Sequence, residues 1–252
     1  MFLPLYDGVP LAYLKAPLVT RALIGACAAA WLLTGLGLLP VSEHRIVAGL
    51  GVIPAVLFGT AGLPQGLPLV PEPITLVTSL FLHGSFLHLA GNMLFLWVFG
   101  DNVEDGMGHA RFLIFFLLCG IAACLAHCLM NPLSTAPLIG ASGAIAGIVA
   151  AYFMLHPYAK VWILLLGRIP LRLNALWVLG FWIVFQVFTA VAGVGDSKVA
   201  WWTHVGGLMT GAVLVLFLRR RGTVLFSRTD PGAAVAAPAA PPPEIDGPWS
   251  RR

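Results

Sequence analysis

The stretch LIGASGAIAG, Leu138 to Gly147, decides how the rest of the chain is read. It sets one serine, Ser142, among small residues at the point where a loop becomes an apolar helix. A serine so placed is either packing material or a nucleophile. The choice depends on what other helices bring to the same depth.

The surrounding composition is that of a membrane protein. Of 252 residues, 59% are hydrophobic and 10% charged, with mean hydropathy +0.93. Globular domains carry about a quarter charged residues. The formal net charge of +4 raises nucleic acid as a partner, but no basic stripe with interleaved aromatics is present, so none is expected.

Outward from Ser142, apolar periodicity and Gly/Pro punctuation predict six spans. They cover about residues 18–39, 86–103, 111–130, 138–155, 174–191 and 200–218. Residues 1–17 hold Pro4, Pro10 and Pro17 and read as a lead-in. Residues 40–86 are cut by Gly and Pro every few positions, which predicts an interfacial or partly dipping connection. Residues 156–173 form a second connection, and 222–252 are a Pro/Ala-rich tail expected to be disordered in the cytosol, leaving 18–221 as the membrane domain. With the N-terminus inside, inner segments hold Lys15, Arg21, Arg111, Lys160, Arg168, Arg172 and Arg219 to Arg221, whereas outer loops hold only Arg45 and Lys198. That asymmetry puts both termini in the cytoplasm. A bacterial cell membrane is the expected location, because no cleavable signal or organellar leader is evident.

This topology sends the second, fourth and sixth spans in from the outer face together. His88 and Asn92, Ser142, and His204 then share one layer, roughly 3 to 10 Å below the helix starts, with Asn92 up to a turn deeper. His88 and Asn92 are four apart and lie on one helix face. Gly143, Gly147 and Ala151 make a small-residue ridge, and Gly207 and Gly211 make another below His204. Such ridges let helices meet backbone to backbone in lipid, so Ser142 and His204 are expected within hydrogen-bond reach. A neutral imidazole can take the hydroxyl proton during attack. The Ser142 backbone N–H, the Asn92 amide and the His88 imidazole can donate to an oxyanion. No carboxylate falls at this depth, which predicts a Ser–His dyad.

At these residues the chain resembles the rhomboid family of intramembrane serine proteases. HGSFLHLAGN matches the family's His-x4-His-x3-Asn, GDNVEDGMG its Gly-x3-Glu-x3-Gly, GASG its Gly-x-Ser-Gly, and HVGGLMTG its His-x2-Gly-x3-Gly, in the family's order. The resemblance implies an all-α, six-transmembrane-helix rhomboid-like bundle. It makes Ser142 the nucleophile, His204 the base, and His88 and Asn92 oxyanion donors. It makes His83 a loop histidine, and gives Glu104, Gly140, Gly143, Gly207 and Gly211 structural roles. Single-pass transmembrane proteins would be the substrates and lipid the surroundings, with no cofactor or metal. Two positions depart from the family pattern. Ile74-Thr75 stands where many relatives have Trp-Arg, and Ala146 stands where a tyrosine often stacks on the catalytic histidine, leaving Trp201 and Trp202 as nearby rings.

Two other readings stand beside this one. An inert relative of the same fold would hold membrane clients without cutting them. A transporter would use Cys119, Cys124, His127 and Cys128 on the third span as a soft-metal path. Glu104 and Arg111 are expected to form an inner-surface charge pair.

Overall fold

The computed structural model describes residues 2–194 and 199–227. Lys198, assigned above to an outer loop, and the tail from residue 228 on lie outside the described residues. In chain order the elements are β1 (Phe2–Tyr6), α1 (Leu18–Gly35), α2 (Glu43–Leu50), α3 (Pro54–Leu57), α4 (Glu72–Thr78) with a 3-10 turn over Ser79–Phe81, α5 (Phe86–Met107), α6 (His109–Met130), α7 (Ser142–Leu155), β2 (Lys160–Leu165), β3 (Ile169–Asn174), α8 (Ala175–Ala192) and α9 (Trp201–Leu218). The protein is mostly helical, and helices stand at all six expected places. Among the described residues α1, α6, α8 and α9 are each long and apolar enough to cross a membrane, and α4 with α5 makes a fifth candidate bent by 82° at residues 82–85.

Helix α7 differs from the expected fourth span. It begins at Ser142 rather than four residues earlier. Its 14 residues rise about 21 Å, short of the roughly 30 Å hydrocarbon core. The missing length is made up by an extended entry, residues 137–141. Its backbone is satisfied by protein: Val52 and Leu138 exchange N–H···O bonds at 3.0 and 2.7 Å, and the Gly140 N–H donates to the Ser79 carbonyl at 2.9 Å. Irregular backbone at membrane depth requires such internal partners. The same bonds answer the Ile74-Thr75 departure. The first connection is held by the Val52–Leu138 bridge, by Thr78 Oγ1 donating to the Leu50 carbonyl at 2.7 Å, and by Gly49, whose missing side chain admits Leu69 and the Leu67 carbonyl.

Small residues fix the central packing. A methyl on Gly207 would run into the carbonyl oxygen of Gly143, and one on Gly211 into that of Gly147. The constant offset of 64 between partners makes α7 and α9 parallel. Helix α6 fills the third side antiparallel: Ala123 meets Gly143, Cys119 meets Gly147 and Ala126 meets Gly206. Helix α5 runs with α7, since His88 abuts Gly140, Phe99 packs on Tyr152 at 4.8 Å and Gly106 faces Leu155. The starts of α5, α7 and α9 therefore lie at one end of the bundle.

The opposite end is closed by a feature absent from the sequence expectation. β1, β2 and β3 form an antiparallel sheet in that order, with Phe2 opposite Leu165 and Lys160 opposite Asn174. The 1–17 lead-in and the 156–173 connection are thus one structure. Val161 and Ile163 point inward while Lys160 and Trp162 point out, the period of two expected of a half-covered strand. Beyond α9 the chain stays packed through Ser227: Arg220 N–H donates to the Gly106 carbonyl and Phe226 N–H to Met154, both at 2.7 Å.

Glu104 sits at this end and is wholly buried. It does not pair with Arg111, contrary to expectation. Its carboxylate accepts from Val19 N–H at 2.9 Å, Thr20 N–H at 2.7 Å and Thr20 Oγ1 at 2.6 Å, and meets His109 Nδ1. Helix α1 starts after Pro17 with no side-chain cap of its own. Glu104, supplied by another helix, therefore closes the exposed N–H groups of its first turn. Arg111 reaches instead toward the carbonyls of Leu218 and Arg219 at 3.4 Å. The spacing Gly-x3-Glu-x3-Gly follows from this contact. Gly100 lets Thr20 approach α5, and Gly108, at φ +87°, makes the turn into α6 that a side chain would obstruct.

Candidate active site

Ser142 is the first residue of α7, and His204 lies in the first turn of α9. The Gly143–Gly207 contact holds those two helix starts at backbone separation. The result is a 3.1 Å approach between Ser142 Oγ and His204 Nε2. Both residues are half-buried.

The other ring nitrogen has a partner that sequence reasoning missed. His204 Nδ1 lies 2.6 Å from Oε1 of Gln186 on α8, whose side chain is 4% exposed. Two rings flank the imidazole with centroids at 6.1 Å, Trp182 tilted by 34° and Trp201 edge-on at 88°. Trp182 packs against the cluster containing Ala146, so an α8 ring fills the space opened by the small residue there. A signal for Gln186 was present. It is the one amide in an 18-residue helix of mean hydropathy 2.0, and a buried amide in an apolar span needs a partner.

His88 and Asn92 converge on Gly140, two residues before Ser142. Gly140 has φ +121°, and a Cβ there would lie 2.8 Å from His88 Nε2 and 3.8 Å from Asn92 Nδ2. The absence of a side chain at Gly140 lets the His88 ring lie directly against the loop. Asn92 is 8% exposed, and its Nδ2 has no hydrogen-bond partner. A buried donor without an acceptor costs about 1–3 kcal/mol, and His83 Nδ1 and Nε2 and Thr203 Oγ1 are likewise buried without partners. His83 stands against His88, ring centroids 5.1 Å apart.

The cysteines of α6 are not gathered into a site. Cys119 and Cys124 are used in packing against Gly147 and beside Ser79, where Cys124 Sγ and Ser79 Oγ are 3.8 Å apart. Among the described residues no group of three or more His, Cys, Asp and Glu is close enough to hold a metal ion.

A membrane-embedded helical bundle with a serine–imidazole pair at the mouth of a glycine seam defines a narrow class. Residues 71–221 match the family model described as the Rhomboid domain. The chain belongs to the rhomboid family. It is 29% identical over 153 residues to Rhomboid protein 1, mitochondrial, of Saccharomyces cerevisiae, covering 57% of this chain and 41% of that protein. It is 30% identical over 146 residues to RHOMBOID-like protein 5 of Arabidopsis thaliana, covering 57% and 44%. It is 32% identical over 136 residues to Rhomboid protease GluP of Bacillus subtilis, covering 54% and 24%. The matched segments are less than half of each of these relatives' own length. The protein is an integral membrane protein. These relatives include one named as mitochondrial and one from a bacterium, so the bacterial cell membrane expected from the sequence gains no support from them.

Proposed function

We propose that the chain is an intramembrane serine endopeptidase that cleaves single-pass transmembrane substrates near the outer face, using Ser142 and His204. The observation that carries this reading is the 3.1 Å approach of Ser142 Oγ to His204 Nε2. Supporting it are the unpartnered Asn92 amide beside Gly140 and the likeness to a protein named as a rhomboid protease.

In this mechanism His204 Nε2 takes the Ser142 hydroxyl proton as Oγ attacks a substrate carbonyl carbon. The charge that develops on the carbonyl oxygen is met by the Asn92 amide, the His88 imidazole and the Ser142 backbone N–H at the start of α7. Asn92 suits this role because its amide is already dehydrated and unpaired, so it exchanges no protein hydrogen bond when the oxyanion forms. The tetrahedral intermediate collapses as imidazolium His204 gives its proton to the leaving amide nitrogen. Ser142 is left acylated. Water then attacks the ester with His204 again as base, releasing the second fragment and restoring the hydroxyl. Glycines at 140, 143, 207 and 211 act structurally, holding the loop and helix starts where these groups meet. We further propose, from the charge asymmetry, that the termini are cytoplasmic.

The test is cleavage of a model single-pass substrate by the protein reconstituted in lipid. Ser142→Ala should abolish product while leaving the thermal unfolding midpoint within a few degrees of the parent. Undiminished cleavage by that variant overturns the assignment.

A further inference from the structure

We infer that Gln186 is the positioning residue for His204: its side-chain oxygen holds the ring in the tautomer and orientation that leave Nε2 free to receive the serine proton. This rests on the protease reading above.

The geometry is specific. An amide oxygen only accepts, so a ring nitrogen 2.6 Å from Gln186 Oε1 must carry the proton. The lone pair is then on Nε2, the atom 3.1 Å from Ser142 Oγ. The tautomer of an imidazole is set by the hydrogen bond its second nitrogen makes. With Nδ1 unpaired, the ring could hold its proton on Nε2, where a base must be vacant. Trp182 and Trp201 restrict the ring from two sides, but aromatic contacts choose neither nitrogen. Gln186 makes that choice from α8.

An amide also suits the depth of the site better than a carboxylate. It fixes direction without placing a formal charge among apolar helices, where an unpaired carboxylate would be costly in every state that lacks imidazolium. Its own position is set by burial against the bundle rather than exposure on the outer side of α8, where Trp177, Phe181, Val184 and Phe188 are 61–72% exposed.

The experiment compares Ser142→Ala, Gln186→Leu and Gln186→Glu in reconstituted lipid with one single-pass substrate, reading kcat, KM and the pH profile of kcat. Gln186→Leu keeps the volume and removes the acceptor. It should lower kcat by about 100-fold with KM within twofold, the scale of an impaired general base. Labelling of Ser142 by a fluorophosphonate should slow in parallel. Gln186→Glu returns the acceptor. It should recover at least tenfold over the Leu variant and move the acid limb of the profile to higher pH, because an anionic neighbour favours imidazolium. The other titratable groups around His204 are His88 on α5 and Cys119, Cys124, His127 and Cys128 on α6; α7 brings only Tyr152, ten residues past Ser142, and α8 and α9 bring none besides His204 itself. All are common to the variants, so the displacement belongs to position 186. Inert Ser142→Ala combined with parental kcat in Gln186→Leu overturns the role of Gln186 alone. So does equal loss in the Leu and Glu variants with a lowered unfolding midpoint, the mark of a packing role. Cleavage by Ser142→Ala overturns the protease reading and this inference with it.

Discussion

The two ends of the bundle each bury a layer of polar side chains, and they treat them in opposite ways. At the Glu104 end the buried carboxylates are all paired, although Asn174 Oδ1, Arg219 Nε and Thr223 Oγ1 near them have no partner. Glu104 accepts from two backbone N–H groups and a hydroxyl and meets His109; Asp105 accepts from the N–H groups of Ala12, Tyr13 and Leu14 at 2.6–2.9 Å; Asp7 accepts from Asn102 Nδ2 and Tyr152 OH at 2.8 Å. At the Ser142 end the Ser142 hydroxyl and the Gln186 amide oxygen hold the two nitrogens of His204, and Asn92 Nδ2 has no partner. Paired carboxylates fasten termini and helix starts to one another. A layer with an idle donor costs stability in the resting protein and gains it back only when an acceptor arrives. The contrast lies between the carboxylates of one end and the Asn92 amide of the other; Arg45 Nε, Thr203 Oγ1 and Thr223 Oγ1 are also buried and unpaired, so an idle group is not by itself a chemical one.

The largest expected effect tests the Glu104 end. Glu104→Ala should lower unfolding stability by on the order of 3 kcal/mol, because three buried donors on Val19 and Thr20 each lose an ionic acceptor and unpaired donors cost about 1–3 kcal/mol apiece. Activity per folded molecule should stay near the parent. Chemical unfolding in detergent, with cleavage normalised to the folded fraction, reads both; loss of turnover without loss of stability would erase the contrast between the ends.

Asn92→Leu should do the reverse. It keeps the volume and removes a donor that the resting protein does not use, so the unfolding midpoint should hold or rise. Cleavage should fall roughly 100-fold, the scale seen when one oxyanion donor is removed. A midpoint that falls along with activity would show that Asn92 is structural after all.

How much of this was legible in the sequence differs between the ends for a physical reason. At the Ser142 end, local rules carry the spacing of His88, Asn92 and the glycines, though not Gln186 or the start of α7. The i, i+4 spacing of His88 and Asn92 and the glycine steps at 143/147 and 207/211 are written within single helices, and parallel helix starts follow from counting spans. The Glu104 end is built from long-range contacts that leave little local trace. β1 pairs with a strand some 160 residues away, Glu104 caps a helix 84 residues earlier, and its neighbour in sequence, Arg111, suggested a surface pair that does not form. Gln186 lies between these cases. Its composition marked it as needing a partner, but only three-dimensional packing could say that the partner was His204. The start of α7 at Ser142 was hidden likewise, because LIGA is as apolar as a helix and becomes a loop only by pairing with Val52.

The smallest effect is a matter of pH and belongs to the Glu104 end. His156 follows α7, in contact with Tyr152 at 5.2 Å. Burial pushes its imidazole down to about 4, against a weaker upward pull from the Asp105 charge. An unfolded chain would protonate the same ring near 6.5. Between those values the unfolded state binds more protons than the native one, so stability rises with pH across the window. The contribution is complete above pH 6.5 and is lost as pH falls toward 4. His156→Phe keeps the ring against Tyr152 and removes the titration, so its unfolding midpoint should fall less than the parent's between pH 6.5 and pH 4.5. Parallel midpoint curves for the two proteins would mean that His156 exchanges protons as freely folded as unfolded. Water would then reach the Glu104 end as readily as the layer around Ser142, and the pairing of its carboxylates would not be the consequence of a closed interior.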